Sequence, residues 1–258
     1  MFDLFSDIFT YRDNALTRID PRAKLVIALA ALIAVVTAEW IVLPLSVFGI
    51  SLVVVAALRI PARFVAARLA APLSVVAVLV VIRMFVTGTT PLFTMTFGEW
   101  QLTAKAEGLR QGALMGARVL GAASTVFLLS VVTPAHRIFQ ALGWFRISRH
   151  WLEIAILMYR YIFVLMERVS DLAAAQRLRL GYRLRGRAMR SFTALAGATI
   201  IHSLEQSQRT HDAMRLRGYR GTMHFGPLPV LGRRDRLIVT LCLIVIVSAR
   251  LLEWGVTG

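Results

Sequence analysis

Long apolar runs joined by short basic connections fill the first half of the chain, and polar helical patterning fills most of the second. The first apolar run covers residues 25–58 and is broken only at Glu39-Trp40 and Pro44. A crossing needs about 20 residues, so this run is long enough for two and predicts a helical hairpin turning near Glu39. Asp20 ahead of Pro21 predicts where its first helix starts, because an aspartate caps free N–H groups and proline suits the first helical position. Residues 69–86, 109–132 and 237–252 predict three further spans. Residues 87–107, rich in Gly, Thr and Pro, are expected to be a loop, with Trp100 as an interfacial anchor.

Residues 151–166 resist the same treatment. They are apolar on nearly every side, yet they are too short for a comfortable crossing and contain Glu153 and Arg160. They are read as a buried or interfacial helix that continues to Arg177-Leu178-Arg179. The next helix, over residues 189–217, carries Phe192, Ala196, Ile200 and Leu204 at four-residue steps, a one-sided apolar stripe. The expected fold is therefore all-α: a polytopic membrane protein of about five transmembrane helices, with a cytoplasmic helical domain inserted before the last span. Its domains are expected at residues 1–132, 133–236 and 237–258.

Composition sharpens this picture. A chain that is 57% hydrophobic with a mean hydropathy of +0.67 is not an ordinary soluble domain. Net charge is +16, and only Lys24 and Lys105 among its 30 basic residues are not arginine. Basic residues collect on cytoplasmic connections, and an inside amino terminus puts Arg12, Arg18, Arg22, Lys24, Arg59, Arg63, Arg68 and all those in 133–236 on that side. The first twenty residues are polar and are not read as a signal peptide. Guanidinium groups suit carboxylates and phosphates, which leaves acidic protein, anionic lipid and nucleic acid open as partners.

The candidate chemistry lies in a repeat. AQRLRLGY begins at Ala175 and AMRLRGYR at Ala213, each placing two arginines (Arg177 and Arg179; Arg215 and Arg217) on the last turn of a helix. Gly181 and Gly218 are the expected stops, since glycine takes the left-handed conformation that ends helices and cations favour the negative end of the helix dipole. Gly108, Gly112 and Gly116 recur every fourth residue on the fourth span, a spacing that lets another helix approach closely, within this chain or from a partner. Arg118 lies near mid-span, where a cation needs a partner, either a neighbouring helix's carbonyl groups or a subunit contact. The five histidines show no firm metal-ligand spacing, and single Cys242 excludes an intramolecular disulfide. Neither lysine follows a phosphate-binding glycine loop, and no serine elbow or paired-carboxylate motif is present, so no catalytic residue and no metal site is assigned.

Four stretches carry a resemblance to a known family, over residues 20 to 221. Asp20-Pro21-Arg22-Ala23-Lys24 is similar to the Asp-Pro-Arg-x-Lys lead-in of the transmembrane T component of energy-coupling factor (ECF) transporters. Val132-Thr133-Pro134 is similar to its Thr-Thr-Pro, with Arg118 matching the arginine ahead of it. Arg160-Tyr161-Ile162 resembles its Arg-Phe-Ile, and Leu178-Arg179-Leu180 and Leu216-Arg217-Gly218 resemble its paired Ala-Arg-Gly signatures. The resemblance implies a non-catalytic subunit of an ATP-driven importer in a bacterial inner membrane. Its implied partners are two ATP-binding-cassette ATPases on the cytoplasmic side, which would hold the ATP and magnesium, and a membrane-embedded substrate-binding S component. This chain would bind no cofactor, and nucleic acid is not an expected partner. The phrase over residues 203–221 resembles the cobalt branch most, with nickel or biotin and other vitamin uptake as alternatives. A basic membrane scaffold and a polytopic membrane enzyme are the rival classes.

Overall fold

The computed structural model describes residues 19–88, 90–97, 100–145, 147–221 and 232–257. Its helices are α1 (Pro21–Thr37), α2 (Val42–Ala57), α3 (Ala62–Val86), α4 (Ala106–Val132), α5 (Ala135–Leu142), α6 (Arg149–Leu178), α7 (Arg185–Leu216) and α8 (Arg233–Thr257). Together they make an all-α polytopic membrane protein. By length and apolar composition α3 and α4 each suffice to cross a bilayer.

One part of the expected loop is ordered differently. Between α3 and α4, β1 (Pro91–Phe97) and β2 (Trp100–Lys105) pair antiparallel, with Phe97 opposite Trp100 and Thr94 opposite Thr103. Phe93, Thr94, Met95, Thr96 and Phe97 are residues that suit a pleated backbone, and their threonines masked that propensity as loop composition. Residues 98–99 lie outside the described residues.

The described residues form two compact units, one comprising residues up to Ala141 together with α8, the other running from Leu142 through α7. In the first unit α1 and α2 form the expected hairpin, with Ala38 fully buried at the turn. Asp20 caps α1 by accepting a hydrogen bond from the Arg22 N–H at 2.9 Å. One core cluster joins Ala34, Val35, Ala38 and Leu43 to Ala122 of α4 and to Ile246 and Ala249 of α8. A second gathers Val55, Ile60, Val65 and Val131, flanked by Phe64 and Phe127 with ring centroids 6.0 Å apart. Outward-facing Leu29, Ile33, Val36, Leu73, Val78 and Ile82 are exposed. In lipid such side chains are solvated, so these helices need bury only one face on each other.

The glycine stripe explains how α4 enters this packing. A β-carbon at Gly108 would stand 2.2 Å from the Arg83 carbonyl oxygen and 2.6 Å from that of Thr87. At Gly112 it would meet the Val80 Cα at 3.1 Å, and at Gly116 the Val76 Cγ1 at 2.7 Å. Farther along, Gly121 would meet the Pro44 carbonyl oxygen of α2 at 2.9 Å. The stripe is thus a seat for α3, continued toward α2, inside this chain.

Candidate functional site

α6 and α7 are the long helices of the second unit, and each ends in the repeated arginine phrase. Both ends close by the same hydrogen bonds. After α6 the Leu180 N–H donates to the Arg177 carbonyl at 3.0 Å and the Gly181 N–H to that of Gln176 at 2.9 Å. After α7 the Gly218 N–H donates to Arg215 at 3.0 Å and the Tyr219 N–H to Met214 at 3.0 Å. This is the Schellman pattern, built twice in the same register.

That register corrects the expectation for Gly181. The residue in the left-handed position is Gly218 at φ 84° in the second end, but Leu180 at φ 57° in the first. Gly181 sits one residue farther on, and it serves another purpose. A β-carbon there would fall 2.5 Å from the Ser191 Oγ, which donates to the Gly181 carbonyl at 3.1 Å. Glycine is needed at 181 so that the chain can fold back against the start of α7.

Arg177, Arg179, Arg215 and Arg217 are all exposed, and none of the four is in an ion pair among the described residues. Between the two arginines of each pair stands a leucine in nearly open solvent: Leu178 is 86% exposed and Leu216 is 90% exposed. The two tips lie toward opposite ends of α7, whose 32 residues at about 1.5 Å each span ~48 Å. Sequence spacing did not reveal this separation, because it depends on α7 being unbroken.

Side-chain contacts also tie α6 to α7 and to the second tip. The hydroxyls of Tyr161 on α6 and Thr210 on α7 are 2.6 Å apart. Tyr219, immediately after the second tip, donates from its hydroxyl to Oε2 of Glu153 at 3.5 Å. Glu153 is only 4% exposed, so the carboxylate that made residues 151–166 awkward as a span faces inward. Trp151, Ile154, Met158 and Ile162 are instead exposed along α6, as are Phe192, Ile200 and Leu204 on α7. Arg160, matched by the family's Arg-Phe-Ile, is exposed midway along α6 and is not brought to either tip.

A second set of candidate residues meets in the membrane unit. Lys24 is half-buried and donates from Nζ to the Val132 carbonyl at 3.3 Å, so it serves the free carbonyls at the end of α4. Thr133 caps that helix end and is 2% exposed, Pro134 is buried behind it, and Pro21 opens α1 alongside. Two motifs more than a hundred residues apart in sequence thus form one cluster. Neither the Thr133 Oγ1 nor the Arg22 Nε has a hydrogen-bond partner there among the described residues. At the far end of α1, Arg118 donates from both Nε, at 2.9 Å, and Nη2 to the Ala38 carbonyl. A cation placed mid-span therefore caps the negative end of α1.

Histidines His202 and His211 both lie on α7, and no group of three or more metal-ligating side chains occurs among the described residues. The surface chemistry of the second unit is that of cationic, leucine-bearing tips suited to a macromolecular partner.

Comparison with known proteins agrees with the motifs. The family model CbiQ, cobalt transport protein, matches residues 12–225, which include the clustered lead-in and both tips. An uncharacterized protein of Methanocaldococcus jannaschii is 28% identical over 209 residues, covering 81% of this chain and 78% of that protein. The cobalt transport protein CbiQ of Rhodobacter capsulatus is 29% identical over 165 residues, 64% of each chain. A putative fused cobalt transport protein, CbiMQ, of Methanocorpusculum labreanum is 26% identical over 215 residues, covering 81% of this chain and 36% of that longer one. With the family's features found across most of its length, the chain belongs to the CbiQ family of cobalt transport proteins.

Proposed function

We propose that this chain is the transmembrane coupling subunit of an ATP-driven, ECF-type cobalt importer in a bacterial inner membrane. Its amino terminus and the second unit lie in the cytoplasm, where Arg179 and Arg217 engage acidic grooves on two ATP-binding-cassette ATPases. The membrane unit holds a substrate-binding S component, a reading that fits the relative whose name describes a fused cobalt transport protein, CbiMQ. Cobalt is the cargo, ATP and magnesium belong to the ATPases, and this chain is not itself the enzyme.

The observation that carries the proposal is the duplicated arginine tip, built with one hydrogen-bond pattern at both ends and spaced along a single rigid helix. A duplicated tip calls for a duplicated partner, and two ATPases closing on ATP would move the two tips relative to one another. Partly desolvated guanidinium–carboxylate pairs are stronger and more directional than exposed ones, which are worth roughly 0–1 kcal/mol. The experiment is charge reversal at both sites, Arg179→Glu with Arg217→Glu, followed by pull-down of co-expressed ATPases from detergent and cobalt uptake in cells. Loss of both ATPase recovery and uptake is expected; unchanged assembly and uptake would refute the proposal.

A further inference from the structure

We infer that each tip is seated by its leucine, so that the surface receiving it is an apolar pocket with an acidic rim rather than an acidic groove alone. The inference rests on the coupling role proposed above and names the chemistry of that same contact. Leu178 and Leu216 occupy the same position in the two tips, one residue before the arginine that caps the helix. At 86% and 90% exposed they retain almost all their apolar area for a partner. Each projects from a helix end held by two backbone hydrogen bonds, so little further ordering is needed on docking.

Neighbouring charges define the rim. Arg177 and Arg179 bracket Leu178, Arg215 and Arg217 bracket Leu216, and none of the four is in an ion pair among the described residues. A partner therefore meets an apolar knob between two unpaired guanidinium groups, which fits a leucine-sized pocket flanked by carboxylates. A bilayer surface fits less well. Leu180 and Leu184 add exposed apolar area at the first tip, but Leu216 at the second offers far less than a myristoyl chain, which itself anchors only marginally. The same leucine in a closed pocket can be a principal contact, because surrounding charged residues then exclude water from it.

The division of labour is measurable. Arginines should govern encounter and salt dependence, and leucines should govern residence. The full chain, purified in detergent, is titrated with the ATPase subunits it recovers in pull-down, over a salt series. Leu178→Ala or Leu216→Ala should weaken binding about tenfold each, corresponding to ~1.4 kcal/mol, with the salt dependence unchanged. Leu178→Met with Leu216→Met should restore most of the affinity, because methionine keeps the volume. If the double alanine variant binds as the parent does while the double arginine reversal releases the ATPases, the leucine inference fails and the coupling role stands. If the arginine reversal also binds normally, the coupling role itself fails.

The bilayer alternative has its own arm. In a Cys242→Ser background, Leu178→Cys carrying a polarity-sensitive fluorophore is reconstituted in phosphatidylglycerol-containing vesicles. Emission should shift to the blue only when the ATPases are added. A blue shift with vesicles alone would place the tip in lipid and overturn the inference.

Discussion

Alanine at Gly108 should be the most damaging small substitution in the membrane unit, and the reason can be worked from distances. A β-carbon there would lie 2.2 Å from the Arg83 backbone oxygen on α3 and 2.6 Å from that of Thr87, the residue that ends α3. Nonbonded carbon–oxygen contacts begin near ~3.3 Å, so α3 and α4 would have to part by about 1 Å or tilt. Backbone cannot rotate aside as a side chain can. Overpacking ordinarily costs about 1–3 kcal/mol, and this site belongs at or above the upper end. Gly121→Ala meets a backbone oxygen at 2.9 Å, Gly116→Ala a movable valine methyl at 2.7 Å, and Gly112→Ala only a 3.1 Å contact. The expected order of damage is therefore Gly108, Gly121, Gly116, Gly112. Gly197 on α7 supplies the control, because nothing lies within 4 Å of a β-carbon there. Gly197→Ala should stabilise by up to ~1 kcal/mol through helix propensity. Thermal unfolding in detergent, followed by thiol-reactive dye at Cys242, would rank the series. A loss of 3 kcal/mol corresponds to roughly 6–12 °C for a chain of this size. A Gly108→Ala midpoint within a degree of the parent, or one above that of Gly197→Ala, would refute the packing argument.

Two further outcomes follow from particular contacts. Arg118→Met removes both donors to the buried Ala38 carbonyl and should lower stability by about 1–3 kcal/mol, the price of a buried acceptor left unpaired; Arg118→Lys should fall between, and the same dye assay checks both. Leu180→Gly relieves a left-handed conformation worth roughly 1–2 kcal/mol to an L-residue while removing a side chain that is already 54% exposed. Backbone hydrogen exchange at residues 179–181 should slow in that variant; faster exchange would mean that Leu180 contributes contacts outweighing the strain.

How much of this could be read from the chain alone varies with the range of the cause. The lead-in at Asp20 and Pro21, the turn near Glu39 and the helix ends after Leu178 and Leu216 depend on residues within one or two turns, and the sequence announced them. The β1–β2 pairing was missed because strand propensity in a threonine-rich stretch competes with loop composition, and only the partner strand decides. Glycine is the usual left-handed residue at a helix end, which points to Gly181; the register of the terminal hydrogen bonds gives that role to Leu180.

Charge repetition, apolar run lengths and the motifs therefore determined the class of protein, its helices and the two arginine phrases, all of which follow from local propensity and from partition between water and lipid. Only the tertiary structure decided that Lys24 reaches the end of α4, that Arg118 caps α1, that Glu153 turns inward to Tyr219, and that Leu178 and Leu216 stand in the open. Each of those depends on which helix lies beside which, and on whether a neighbour is close enough to bury a side chain. Periodicity can say which face of a helix is apolar. It cannot say what covers that face, because coverage is a property of two segments packed together.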